Sequence, residues 1–529
     1  MGYNVGKMLR QRSSIYRQSR IPTFFLVLLL LLLLVFFFRP RLTLVVPGNR
    51  QLEPPSVVKE DIKNGFKNNT ASVPPISPPP PPPLPQSPLL PKSEVRQSIN
   101  CSVRSTCSTS RRIEGGIKWD PLTRPSCPAY FGYIYEDLKP WRTSGITLKM
   151  VEHFEKKASF RLTIVDGRMY LIIYNQCFQT RDIFSIWGFI QLMEFYPGLL
   201  PDLDLMFDCV DWPIVKARDY SDANPPPPLF RYCADDVTLD IPFPDWSFWG
   251  WSEINIRPWG GLLTDILKGT KKIKWEDRDS TAYWKGNPFV ADIRKDLLKC
   301  NASEGQDWNA RLYIQDWWKE GQEGYKKSKL SDQCDHRYKI YVEGSAWSVS
   351  LKNILACDSP TLIVKPIYHD FFSRRLIPLE DYWPVGLDRK CESIKVAVDW
   401  GNNHPREAKA IGKAASDFLK NEVNITNVYD YMFHLLNEYA KLLRYKPSVP
   451  KGAKEICSTS MFCSRKDRVE RRFMKESLVK TASESGPCNL PGPVTFYESL
   501  KDWNERKAKA FQKVEEMERE ARDGNFKGA

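Results

Sequence analysis

The chain has 529 residues and a net charge of +14, a length that allows two or three domains and a large core. The charge is uneven: the first 52 residues carry eight Lys or Arg and no Asp or Glu. More than half of the excess therefore precedes any globular part, which argues against nucleic-acid binding as the meaning of the basic composition.

Residues 1–20 read as a short cytosolic tail. Ile21 to Phe38, "IPTFFLVLLLLLLLVFFF", is 18 residues without a charge, and at ~1.5 Å per residue it just spans a ~30 Å hydrocarbon core. Arg39-Pro40-Arg41 follows instead of a small-residue cleavage site, and five cations precede the run. These flanks predict a single-pass type II signal anchor with the rest of the chain lumenal, in the endoplasmic reticulum or Golgi membrane. Residues 39–115 read as a stem, because Gln51 to Gln97 is rich in Pro, Ser and Lys and ends in a polyproline run. Such composition forms a semi-rigid spacer and not a core.

Thirteen cysteines follow, spread singly with no C-x-x-C pair. In an oxidising lumen most should form disulfides, the odd count leaves at least one free, and no zinc site is expected. Asn68, Asn100, Asn301 and Asn424 each begin an N-x-S/T sequon, in keeping with passage through the secretory pathway.

Arg161 to Tyr174 has the pattern of a hairpin turning at Asp166-Gly167. A helix ending near Pro197-Gly198 and a strand from Leu203 to Cys209 come next. "KIYVEG" (339–344), "TLIVKP" (361–366) and "IKVAVDW" (394–400) are short apolar runs between helical segments, which predicts parallel sheets covered by helices. The ligand of such an α/β chain belongs in the crevice beyond the strands' carboxyl ends. Tyr497 to Asp523 reads as a charged, solvated terminal helix.

Three stretches carry chemistry. In "STAYWKGNP" (280–288) the residues Thr281, Tyr283 and Lys285 share one strand face, and a cation at the strand end suits a diphosphate. A strand with an exposed lysine is the equal alternative. In "VEGSAWSVSLK" (342–352) a strand leads through Gly344, Ser345, Ala346 and Ser348 into a helix starting near Val349, a turn that could hold an anion at the helix start. "NQCFQTRD" (175–182) and "FDCVDWP" (207–213) each place a carboxylate, Asp182 or Asp211, after a strand, where a general base is useful. A helix cap for Asp182 and a turn role for Asp211 are the structural alternatives. Asp202-Leu203-Asp204 spells D-x-D but reads as a helix-to-strand junction.

Together "STAYWKGNP", "YKIYVEGSAWSVSLKNILACDS", "PDWSFWGW" (244–251), "CFQTRD" and "PDLDLMFDCVDWP" resemble the lumenal protein O-glucosyltransferases of the Rumi type, glycosyltransferase family 90, in its plant-type form. The resemblance covers about Pro125 to Tyr445. It implies an α/β GT-B fold of two Rossmann-like domains facing a crevice, a UDP-sugar co-substrate, no metal or other cofactor, and inversion at the anomeric carbon. It divides the lumenal part into an acceptor domain (116–250), a UDP-sugar domain (251–450) and a C-terminal extension with a terminal helix (451–529). Carried over residue by residue, donor binding falls to Ser280, Thr281, Lys285, Gly344, Ser345, Ala346, Ser348 and Lys352. The acceptor side falls to Trp246, Phe248 and Trp249.

Three departures stand out. Where the protein-glucosylating members have an acid before the cysteine, this chain has Gln176; where they have arginines around the nucleotide loop, it has Glu343 and Ser350. The expected activity is transfer of glucose or xylose to a hydroxyl of a glycan or glycoprotein, with Asp182 or Asp211 as the base. The alternative is a stem-anchored glycan-binding protein that has lost its base.

Overall fold

The strand β1 (Phe160–Val165) returns as β2 (Arg168–Ile173) through Asp166 and Gly167, at φ +51° and +71°. A two-residue hairpin loop needs both central residues left-handed, and Asp-Gly supplies them cheaply. The computed structural model describes residues 124–524 and the isolated residues 99, 101 and 107. The expected cytosolic tail, signal anchor, Asn68, Asn100 and nearly all of the stem lie outside the described residues. Among the described residues no helix is long and apolar enough to cross a membrane.

Helix α1 (Arg181–Phe195) follows the hairpin and ends before Pro197-Gly198, and β3 (Leu203–Phe207) pairs antiparallel with β1. The segment around Pro225 to Pro258 supplies β4 (Phe230–Arg231), β5 (Ala234–Asp235) and β6 (Ile241–Pro242), with β4 and β6 parallel to β3. This first sheet is therefore mixed and not purely parallel. Its strand beyond the hairpin, β13 (Lys454–Ile456), comes from the C-terminal extension, giving the order β13-β2-β1-β3-β4-β6. Asp204, the second acid of D-x-D, is buried in β3 and accepts two bonds from Arg161 at 2.8 and 2.6 Å. It is a structural ion pair inside the sheet.

The second sheet is parallel throughout, in the order β12-β10-β9-β7-β8. Its strands are β7 (Asp279–Gly286), β8 (Ala310–Ile314), β9 (His336–Tyr341), β10 (Thr361–Val364) and β12 (Trp383–Val385), while β11 (Tyr368–His369) pairs with β5. Two six-residue helices matter below, α2 (Asp292–Leu297) after β7 and α3 (Ser350–Leu355) after β9. The run "IKVAVDW", expected as a strand, lies inside α4 (Lys390–Asn403). Its fully buried members Ile394, Ala397 and Val398 sit at i, i+3 and i+4, so the helical period prevails over the apparent alternation of the β-branched residues.

A large core lies under the first sheet and its helices, and a smaller one under the second. The terminal helix α5 (Pro493–Arg522) connects them: Phe496 and Trp503 enter the first core, Val514 the second. It is mostly exposed, as its composition suggests, but it is a strap and not a free tail. Six disulfides form, and Cys233 is left free and buried. Cys101–Cys463, Cys107–Cys457 and Cys127–Cys488 close loops of 362, 350 and 361 residues, tying the start of the described chain to the C-terminal extension. Bonds of this kind typically contribute about 2–4 kcal/mol each, mainly by restricting the unfolded chain.

Candidate active site

Strands β2 and β3 flank β1 and both run against it, so the loops leaving them emerge side by side. Cys177–Cys209 joins those loops. Facing them are the carboxyl ends of β7, β8 and β9, which are parallel and therefore open in one direction. Between the two sets lies a cavity of about 920 Å³, large enough for a nucleotide-sized ligand.

The first wall carries two carboxylates, each held by an arginine. Asp211 receives Arg181 Nη1 at 2.5 Å, and the same nitrogen donates to the Cys209 carbonyl at 3.1 Å. The Arg181 guanidinium lies 4.5 Å over the buried ring of Trp246 and also covers Phe178. Burial pushes the Asp211 carboxyl above its usual value, and Arg181 opposes that shift. Asp208 accepts from Ser159 Oγ at 2.8 Å and is paired with Arg231. Asp211 is the more open of the two, its side chain 20% exposed against 10% for Asp208. Gln176 also lines this wall.

The second wall is cationic. Lys285, Arg294 and Lys339 line it, and among the described residues no Asp or Glu does. Lys285 is partly neutralised, because its ammonium donates to Glu320 Oε1 at 3.2 Å and to the Lys327 carbonyl at 2.7 Å. Lys339 is buried, rests 4.0 Å from the Tyr283 ring centre and donates to the Gln333 carbonyl. Burial lowers its pKa to about 7. Arg294 donates to four neutral oxygens: Glu343 O at 2.8 Å, Val342 O and Ser348 Oγ at 3.1 Å each, and Asn287 O at 3.4 Å.

The expected site residues divide cleanly. Asp211, Trp246, Lys285, Gly344, Ser345 and Ser348 line the cavity. Ala346 sits in the same loop, buried, at φ +56°. Ser280 and Thr281 stand at the amino end of β7, about 17 and about 13 Å from Lys285 at ~3.3 Å per residue, and Thr281 Oγ1 donates to Asp279 at 2.6 Å. Lys352 is buried away from the cavity, donating to Asp245 at 2.9 Å and Ser247 at 2.7 Å. Phe248 and Trp249 are fully buried core, with Trp249 Nε1 donating to the Tyr429 hydroxyl at 3.1 Å. Asp182 lies in the first turn of α1, where its carboxylate accepts the Ile183 N–H at 2.9 Å, and it does not line the cavity. The helix expected near Val349 begins at Ser350 and is only six residues long, so little dipole accumulates there.

Among the described residues, Cys127, His434 and Cys488 are the one group of potential metal ligands close enough to share an ion. Cys127 and Cys488 are joined as a disulfide, which removes both thiolates. Asn301 is exposed on the surface, and Asn424 caps the next helix by accepting the Asn427 N–H at 3.0 Å.

The sequence alone does not single out Arg181, Arg294 or Lys339. Each sits in an ordinary helical or strand pattern, and only the fold brings them to one crevice.

Comparison with known proteins places the chain in a family. The chain is 26% identical over 377 residues to human "Protein O-glucosyltransferase 1", spanning 65% of this chain and 92% of the relative. It is 25% identical over 346 residues to the "O-glucosyltransferase rumi homolog" of Aedes aegypti, spanning 63% and 83%. With "O-glucosyltransferase rumi" of Drosophila melanogaster it shares 23% over 331 residues, spanning 60% and 78%. Residues 123–518 match the profile of Glycosyl transferase family 90, and the chain belongs to that family.

Proposed function

We propose that the protein is an inverting glycosyltransferase that moves glucose or xylose from a UDP-sugar to a hydroxyl of a glycan or glycoprotein in the secretory pathway. The observation that carries this reading is the polarity of the crevice. One wall presents Lys285, Arg294 and Lys339 with no lining carboxylate, an excess of cation; on the other, Asp211 and Asp208 are offset by Arg181 and Lys157. A nucleoside diphosphate belongs on the first wall and an acceptor hydroxyl on the second.

Asp211 is the base on this reading. Arg181 opposes the upward shift that burial gives its carboxyl, which favours the ionised form that can accept a proton. In a single displacement Asp211 takes the acceptor hydroxyl proton as the acceptor oxygen bonds to the anomeric carbon. The bond from that carbon to the β-phosphate oxygen breaks, and UDP departs with the electron pair. Cations of the second wall offset the growing negative charge, so the chemistry calls for no metal. The two facing sheets support a GT-B arrangement, with the first sheet carrying the acceptor side. Six disulfides support folding in an oxidising compartment, consistent with the anchor read from Ile21 to Phe38.

Gln176 favours a second reading, a binding protein without turnover, because an amide stands in the crevice where the resembling enzymes carry an acid. One experiment separates the two: purified protein is incubated with UDP-glucose or UDP-xylose and a panel of glycan and glycoprotein acceptors, and released UDP is measured. Acceptor-dependent UDP release is expected. UDP binding without release across the panel would favour the binding protein, and no UDP binding at all would refute the donor assignment.

A further inference from the structure

We infer that the acceptor is a neutral saccharide, stacked on the exposed aromatics Phe178 and Trp212 and bonded at its edge by the amide of Gln179. This rests on the UDP-sugar reading above and narrows its acceptor from a glycan or glycoprotein to the sugar itself. Phe178, Val210 and Trp212 line the wall that carries Asp211 and are 61%, 52% and 49% exposed. Packing would stabilise all three, so an apolar patch left open at a cavity mouth marks a surface that a ligand completes.

The two rings are fixed beside the base. Cys177–Cys209 ties their loops, and Arg181 bonds Asp211 while covering one face of Phe178. Tyr368 braces the indole of Trp212, its ring at 84° and 5.7 Å between centres. Trp212 directly follows Asp211, so a ring lying on the indole brings a hydroxyl to the carboxylate. Gln179 stands in the same loop as Phe178 with a left-handed backbone, φ +60°, a costly conformation for a residue with a side chain. Trp251 Nε1 donates to Gln179 Oε1 at 2.8 Å, which orients the amide, and its NH2 has no acceptor among the described residues. Gln176 lines the same wall, also without a side-chain partner there. An amide offers N–H and C=O side by side, a match for neighbouring hydroxyls that each donate and accept.

The same wall is poorly made for a peptide. Asp211 and Asp208 each have an arginine partner, so no unpaired acid waits for a basic side chain. Behind the loops, β2 lies between β13 and β1, and β3 between β1 and β4. Neither strand has an open edge on which an extended peptide could pair its backbone. A sugar ring needs no such edge: its flat C–H face lies on an aromatic ring, and its hydroxyls bond around the perimeter. The bond formed is then glycosidic, between two sugars. The hydroxyl proton goes to Asp211 and UDP leaves with the electron pair, as in the displacement above.

The test measures UDP release by wild type, Trp212→Ala, Trp212→Phe and Gln179→Ala, with UDP-glucose or UDP-xylose as donor. The acceptors are neutral tetrasaccharides of xylose, glucose, mannose or galactose, and, separately, peptides bearing serine and threonine; UDP affinity is measured alongside by calorimetry. A wild type that binds no UDP defeats the UDP-sugar reading and this inference with it. Where UDP binds, release that depends on a saccharide is expected. On that acceptor Trp212→Ala should raise KM about tenfold or more with kcat nearly unchanged, and Trp212→Phe, which keeps a ring, should restore most of the loss. Gln179→Ala should raise KM about three- to tenfold. UDP affinity should not change in any variant. Release with peptides and not with saccharides, or no saccharide-dependent release from protein that binds UDP, would overturn the assignment. So would an unchanged KM in Trp212→Ala, or a matching loss of UDP affinity, which would make the rings a brace for the loops.

Discussion

Replacing Glu343 by Gln should make the protein more stable at neutral pH and barely change it in acid. Burial pushes the Glu343 carboxyl from 4.5 up to about 7, against the weaker pull of the Tyr368 and Ile367 N–H groups. Below pH 4.5 folded and unfolded chains both hold the proton, so its full contribution is present. Between 4.5 and about 7 the unfolded chain has lost the proton and the folded chain retains it, so stability falls as pH rises. Above 7 the loss is complete. A span of about 2.5 pH units at 1.36 kcal/mol per unit corresponds to on the order of 3 kcal/mol. Glutamine keeps an oxygen to accept the two N–H bonds and never ionises, so the slope disappears. Denaturant unfolding with disulfides intact, from pH 4 to 8, measures it: the advantage of the variant over wild type should be near zero at pH 4 and approach that figure at pH 8. A difference independent of pH would refute the reasoning. The position matters functionally, because ionised Glu343 adds negative charge beside the wall assigned to the diphosphate.

Much of this architecture was legible where one physical signal dominated. Asp166-Gly167 fixes the hairpin by turn chemistry, and the Pro197-Gly198 stop and the apolar strands at 339 and 361 follow from local pattern. "IKVAVDW" misleads because Ile, Val and Val alternate while the residues that matter recur at i, i+3 and i+4. The strand β13 was not visible, since an edge strand of three residues is defined by its partner and not by its own sequence. In the site, local motifs located loops that line the cavity: Lys285, Gly344, Ser345, Ser348, Trp246 and Asp211 all reach it. They could not say which side chains turn inward. Lys352 has the same chemistry as Lys285 but is spent on Asp245, a partner 107 positions away. Arg294 is one cation in a charged helical stretch, and its lack of a carboxylate partner among the described residues appears only in three dimensions.

Other substitutions test the placement of individual residues. Gly188→Ala should destabilise the fold by about 1–3 kcal/mol, because its Cβ would stand 2.6 Å from the Trp249 ring; an unchanged denaturation midpoint would contradict the packing. Lys352→Met should cost roughly 3–5 kcal/mol by stranding Asp245, while surviving folded protein keeps its UDP affinity; selective loss of UDP binding would put Lys352 back in the donor pocket. Asp211→Asn should reduce turnover by about 10²–10⁴ and leave UDP affinity intact, because the base acts on the acceptor and not on the nucleotide. The matching change Asp208→Asn separates the two carboxylates of that wall. Asp208 is tied to Arg231 and Ser159, so its loss should lower stability more than turnover per folded molecule. Were Asp208→Asn the one to abolish turnover with UDP binding retained, the proton would go to Asp208, and Arg181 with Asp211 would be a brace for the loop that presents it.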